Sequence, residues 1–163
     1  DILFEYIKSR FSLSQDLYNI YGHSAGAQFV HRYLLLSNEP KVNTAVAANA
    51  GWYTFLDGAN FPYGLSNPPI NFESSNVRDF LKMDLHVLIG SADTEITSSV
   101  NQSKGANNQG LNRFQRANNF YNYTERIVKQ NNLEFNWSFQ IVKGVAHSNS
   151  RMSKAAAEII LTN

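Results

Sequence analysis

Across a single glycine this chain changes its periodicity. Residues 17–21 hold Leu17, Tyr18, Ile20 and Tyr21, a short apolar run that suits a buried strand, and Gly22 ends it. From Ala25 to Leu36 small residues come first, followed by Phe29, Val30, Tyr33 and Leu34 at helical spacing, until Asn38 and Pro40 stop the pattern. A strand that becomes a helix within three residues needs neighbouring strands beside it and further helices over its faces. The rest of the chain repeats the alternation. Strands are expected at residues 42–50, at 85–89 closed by Gly90, and at 135–142. Helices are expected over residues 2–11, with Glu5, Lys8 and Arg10 facing water, over 114–130, and after Ser150, a candidate cap, through Met152, Ala156 and Ile160. The fold class is therefore α/β, a parallel sheet of about four strands flanked by helices.

Residues 1–163 read as one domain, because 43% hydrophobic and 13% aromatic content over this length supplies one substantial core. Residues 52–77 break the alternation. They carry Trp52, Tyr53, Phe55, Phe61, Tyr63 and Phe72 and three of the four prolines, which reads as an aromatic-rich insertion lining a substrate pocket. The net charge of +1, from 14 basic and 13 acidic residues with no long run of either, gives no basis for a nucleic-acid or anionic-membrane partner. No apolar run approaches the roughly 20 residues that span a bilayer. The absence of cysteine excludes disulfides and thiolate chemistry, and leaves secreted, periplasmic and cytoplasmic locations open. Three matches to the glycosylation acceptor pattern, at Asn101, Asn122 and Asn136, are what chance gives in an asparagine-rich chain.

The sequence Gly22-His23-Ser24-Ala25-Gly26 fits G-x-S-x-G, and it falls at the strand-to-helix junction. A tight turn there lifts the Ser24 hydroxyl above the sheet, with Gly22 and Gly26 letting backbone approach closely, while the helix N-terminus favours developing negative charge. A serine hydroxyl needs a base, and the base needs an orienting group. His147 follows the last strand and so lies at the same carboxyl edge, whereas His23, His31 and His86 read as packed or surface residues. Asp93, just beyond the third strand, is the choice for the acid. Glu95 is its rival, Asp84 precedes the strand, and Asp57 sits in the aromatic stretch. Arg113 and Arg116 read as surface cover at a helix start, with substrate carboxylate binding as the other reading.

The order Ser24, Asp93, His147 is that of α/β-hydrolases. The stretches GHSAGAQFVHRYLL, AANAGWYTF, NQGLNRFQRANNFYN and FNWSFQIVKGVAHS resemble that superfamily, and most of all its bacterial polyhydroxybutyrate-depolymerase-like esterases. The resemblance covers the C-terminal half of that fold. It implies Ser24 as nucleophile, His147 as base, Asp93 as orienting acid and the Ala25 N–H as one oxyanion donor. It also implies further strands, and a second donor loop, upstream of what is present, so that the chain is expected to need an N-terminal half of its own fold. Trp52, Tyr53 and Phe61 are the expected pocket residues.

The expected activity is hydrolysis of a small-molecule or oligomeric carboxylic ester through an acyl-enzyme, with no metal or organic cofactor. Two alternatives stand beside it: a non-catalytic binding module of the same fold, and a peptidase or amidase using the same three residues.

Overall fold

The computed structural model describes residues 1–70 and 73–162. Phe72, counted above among the aromatics of the insertion, lies outside them. Element order is α1 (Ile2–Phe11), β1 (Tyr18–His23), α2 (Ala25–Leu36), β2 (Val42–Ala48), α3 (Ser74–Lys82), β3 (Asp84–Gly90), α4 (Lys104–Gln109), α5 (Arg113–Asn131), β4 (Ser138–Val142) and α6 (Asn149–Thr162). The four strands form one parallel sheet in the order β1-β2-β3-β4. Each parallel step needs a crossover, and the helices supply it.

Strand pleating sorts the core into two layers. Ala45, Ala47, Leu85, Val87 and Ile89 face α2 and α5, where Val30, Leu34, Ala117 and Phe120 cover them. Val46, Ala48 and Leu88 face the other way, against Met152 and Ala156 of α6. Helices on both faces explain why β2 is buried along nearly its whole length rather than alternating. The small alanines that make 42–50 a poor match to strand propensity are what lets α2 and α6 both sit close to β2.

Four expectations change. Helix α1 forms over the expected residues, but it buries none of them: Ile2, Leu3, Tyr6 and Phe11 are all more than half exposed, while Glu5 pairs with Lys41 and Lys8 with Asp16. The helix's apolar contact with the sheet runs through the half-buried Phe4, whose ring centroid lies 5.0 Å from that of Tyr18, and the exposed ion pairs add little. Helices α3 and α4 form in addition to the expected ones. The α3 start is fixed by a capping box in which Glu73 accepts from the Asn76 N–H and Asn76 accepts from the Glu73 N–H. Ser150 does not cap α6, which already begins at Asn149.

His31, fully buried in α2, joins that helix to the segment after β2. Its Nδ1 lies 2.9 Å from the Ala27 carbonyl, which only accepts, and its Nε2 lies 3.1 Å from the Thr54 N–H, which only donates. The ring is therefore neutral with its proton on Nδ1. Burial, with the Arg32 charge beside it, holds its pKa at about 3, below the ordinary 6.5. Between those two values the unfolded chain binds a proton that the folded chain does not, so stability falls on acidification. The expected slope from this residue is up to about 1.4 kcal/mol per pH unit. Denaturant unfolding at pH 7 and pH 5 measures it, and His31→Gln should flatten the difference.

Candidate active site

Ser24 stands between β1 and α2 with φ 57° and ψ −114°. That conformation is sparsely populated for a residue with a Cβ and costs on the order of 1–3 kcal/mol. It persists because its surroundings over-determine it: the Ser24 N–H donates to Ala48 O at the end of β2, and the Ser24 carbonyl accepts from Gln28 in the first turn of α2. Gly22 makes the turn sterically feasible, since a Cβ there would come within 2.3 Å of the Gly26 backbone. Gly26 is different. A Cβ on it would meet open space, so of the two glycines only Gly22 is required for close approach.

His147 lies in the loop after β4. Gly144, at φ 70°, supplies the left-handed turn that a side chain would strain. The loop then rides directly over Gly90, where a Cβ would sit 2.2 Å from Val145 O. Asn49 locks the arrangement. This buried residue, also left-handed at φ 50°, accepts from the Gly90 N–H at 2.9 Å and donates to Ala146 O at 3.1 Å. Its side chain thereby joins the end of β3 to the histidine loop. Asparagine tolerates a left-handed backbone, so its position at the end of an apolar strand was the one available signal of this role.

These elements bring three of the expected residues together. His147 Nε2 is 3.1 Å from Ser24 Oγ, and His147 Nδ1 is 2.8 Å from Asp93 Oδ2. Asp93 is 3% exposed, while the His147 side chain remains 29% exposed, so the ring keeps an edge open to solvent and the carboxylate does not. A carboxylate can only accept here, which puts the imidazole proton on Nδ1 and leaves Nε2 to accept from the serine hydroxyl.

The rival acids lie elsewhere. Glu95 is exposed, Asp84 accepts from Thr44 at the opposite end of β3, and Asp57 accepts from the Ala59 N–H. His23 is nearer the site than expected, with its ring centroid 4.6 Å from that of His147. Burial, and then the neighbouring His147, lowers its pKa to about 4, so it packs beside His147 as a neutral ring.

Ala25 opens α2 directly after Ser24 and lines a cavity of about 380 Å³ with Phe29, Arg32, Leu36, Phe61 and Ile70. Trp52 is not part of this lining and reaches it only through Arg32, whose guanidinium lies 4.2 Å over its ring. Tyr53 does not belong to this lining. It is fully buried and stacks on Phe120 at 4.5 Å, so it is a core residue. Arg113 and Arg116 are likewise not surface cover, being 2% and 0% exposed. Among the described residues no cluster of three or more His, Asp or Glu side chains offers a metal site, and no helix is long and apolar enough to cross a membrane.

A parallel four-stranded sheet flanked by helices, with a serine at a strand-to-helix elbow, gives this chain an α/β-hydrolase-type fold. Among solved structures it is similar to poly(aspartic acid) hydrolase-1 from Sphingomonas sp. KT-1, with 35% identity and a TM-score of 0.91 over 98% of this chain. It is also similar to LpqC, a poly(3-hydroxybutyrate) depolymerase from Bordetella parapertussis, with 29% identity and a TM-score of 0.88 over 96% of this chain. The chain spans 60% of the first and 54% of the second. No protein-family model and no curated protein matches it.

Proposed function

We propose that the protein is a serine hydrolase that cleaves carboxylic esters through an acyl-enzyme. The observation that carries this reading is the continuous contact from Ser24 Oγ through His147 to Asp93, with the serine held in a strained elbow. Ser24 Oγ attacks the ester carbonyl as its proton passes to His147 Nε2. Asp93 keeps the ring oriented and stabilises the imidazolium. The oxyanion faces the Ala25 N–H at the start of α2, where the helix dipole adds to the stabilisation. The alkoxide leaves with the proton from Nε2, and water, activated by the same nitrogen, then releases the acid and restores the serine. No metal or organic cofactor enters the scheme.

The cavity beside Ala25, with Phe29, Leu36, Phe61 and Ile70 in its walls, suits an apolar acyl or alcohol portion. The likeness to a poly(3-hydroxybutyrate) depolymerase supports an ester as the substrate. The likeness to a poly(aspartic acid) hydrolase supports the second reading, amide cleavage by the same residues. Turnover of matched ester and amide substrates separates the two. A fluorophosphonate probe should label Ser24, and Ser24→Ala should remain unlabelled while staying folded. Labelling that survives the substitution would refute the assignment, and an unlabelled native protein would favour a binding module.

A further inference from the structure

Arg113 is a charged residue placed in the interior, and its surroundings say why. It opens α5, whose start is fixed by Asn112, the cap that accepts from the Gln115 N–H at 2.9 Å. The Arg113 Nη1 lies 3.4 Å from Asp93 Oδ1, while Nη2 donates to both the carbonyl and the hydroxyl oxygen of Ser99, each at 3.1 Å. The next residue reinforces the junction, because the Phe114 N–H donates to the Asp93 carbonyl at 3.2 Å. Asp93 is thus gripped twice from one helix end, at its backbone and at its carboxylate.

We propose that Arg113 is a positioning residue that sets the rotation of the Asp93 carboxylate. This rests on the reading of Ser24, His147 and Asp93 given above. The two oxygens of Asp93 are divided: Oδ2 meets His147, and Oδ1 meets Arg113. Terminal carboxylate torsions are broad, so one contact alone leaves the plane of the carboxylate loosely defined. A second contact on the other oxygen fixes it and keeps Oδ2 aimed at the imidazole. Arg113 is itself held by Ser99, so the loop between β3 and α4 becomes part of the support. Its guanidinium also gives the buried carboxylate a counter-charge, without which burial is costly.

The charge alone does not account for the arrangement. A cation this close opposes the imidazolium formed during the reaction, which makes geometry the useful contribution. Misplacement of a catalytic group by about 1 Å costs on the order of 10²-fold.

The test uses the rate of Ser24 labelling by a fluorophosphonate probe, which requires no knowledge of the substrate. Arg113→Ala should lower the maximal labelling rate by about 10²-fold, with the probe's half-saturating concentration changed less than about twofold. Millimolar ethylguanidinium should restore part of the loss, and ethylammonium should restore less, because only the planar fork fills the vacated contacts. Arg113→Lys provides the second variant and should stay well below the unmodified protein although it keeps the charge. A maximal rate within twofold of the unmodified protein in Arg113→Ala overturns the proposal. So does full activity in Arg113→Lys, or a loss unresponsive to ethylguanidinium that tracks the unfolded fraction. Failure of the unmodified protein to label would instead overturn the serine-hydrolase reading beneath it.

Discussion

Replacing Asp93 with asparagine should lower the chemical step by about 10⁴-fold, the cost of holding the base in the wrong tautomer. The direction follows from what each neighbour can give or take. Arg113 can only donate, so the amide oxygen of the new side chain is drawn to the position of Oδ1. The amide NH₂ then faces His147 Nδ1, which must become an acceptor. The imidazole proton is thereby moved to Nε2, where it points at Ser24 Oγ and leaves the hydroxyl with no base. His23, the other imidazole at the site, gives no substitute, because burial and the neighbouring His147 lower its pKa to about 4 and make it a weak base. The labelling rate of Ser24 or turnover of an activated ester measures the loss, with circular dichroism confirming that the variant is folded. A drop of less than tenfold would mean that Asp93 does not set the tautomer.

The parts of this molecule that were legible in the sequence are those written as local patterns. The strand-to-helix switch at Gly22 and the apolar runs closing at Gly90 and Val142 follow from periodicity and turn chemistry, and they place Ser24, Asp93 and His147 at one sheet edge. What stayed hidden depends on convergence from distant segments. Arg113 and Arg116 carry the residue type most often found at surfaces, and only the folded loops around 51, 93, 99, 101 and 110 turn them inward. Tyr53 sits in an irregular aromatic stretch and so resembles a pocket residue, yet Phe120, 67 positions away, covers its ring. Helix α4 holds one alanine in an otherwise polar and glycine-containing hexamer, so no apolar period marks it. Helix α3 does carry Val77, Phe80 and Leu81 at helical spacing, but its cap is Glu73 paired with Asn76, which reverses the usual residue types of a capping box.

The same convergence makes Arg116→Met the substitution with the largest expected effect on stability. The guanidinium has no exposed surface, and all its nitrogens are used. Nε donates to Gly110 O at 2.7 Å, Nη1 to Gly51 O at 2.7 Å, and Nη2 to Asn101 O and the Asn107 side chain at 2.8 and 3.0 Å. One side chain therefore closes the hydrogen-bonding requirement of the loop after β2, the loop after β3 and the turn between α4 and α5. Methionine fills much of the volume but leaves these acceptors in the interior without donors. Each buried group so abandoned costs about 1–3 kcal/mol, partly recovered where water enters. A net loss of about 3–5 kcal/mol is expected, which for a domain of this size lowers the melting temperature by roughly 10 °C. Arg116→Lys should recover only part, because one ammonium cannot reach oxygens spread around a planar fork. Differential scanning calorimetry of the two variants checks both statements. Because Gly51 precedes Trp52, whose ring packs under the cavity-lining Arg32 guanidinium, the loosening should also reach the cavity proposed for the substrate. Arg116→Lys is then expected to weaken substrate binding more than it slows the labelling of Ser24.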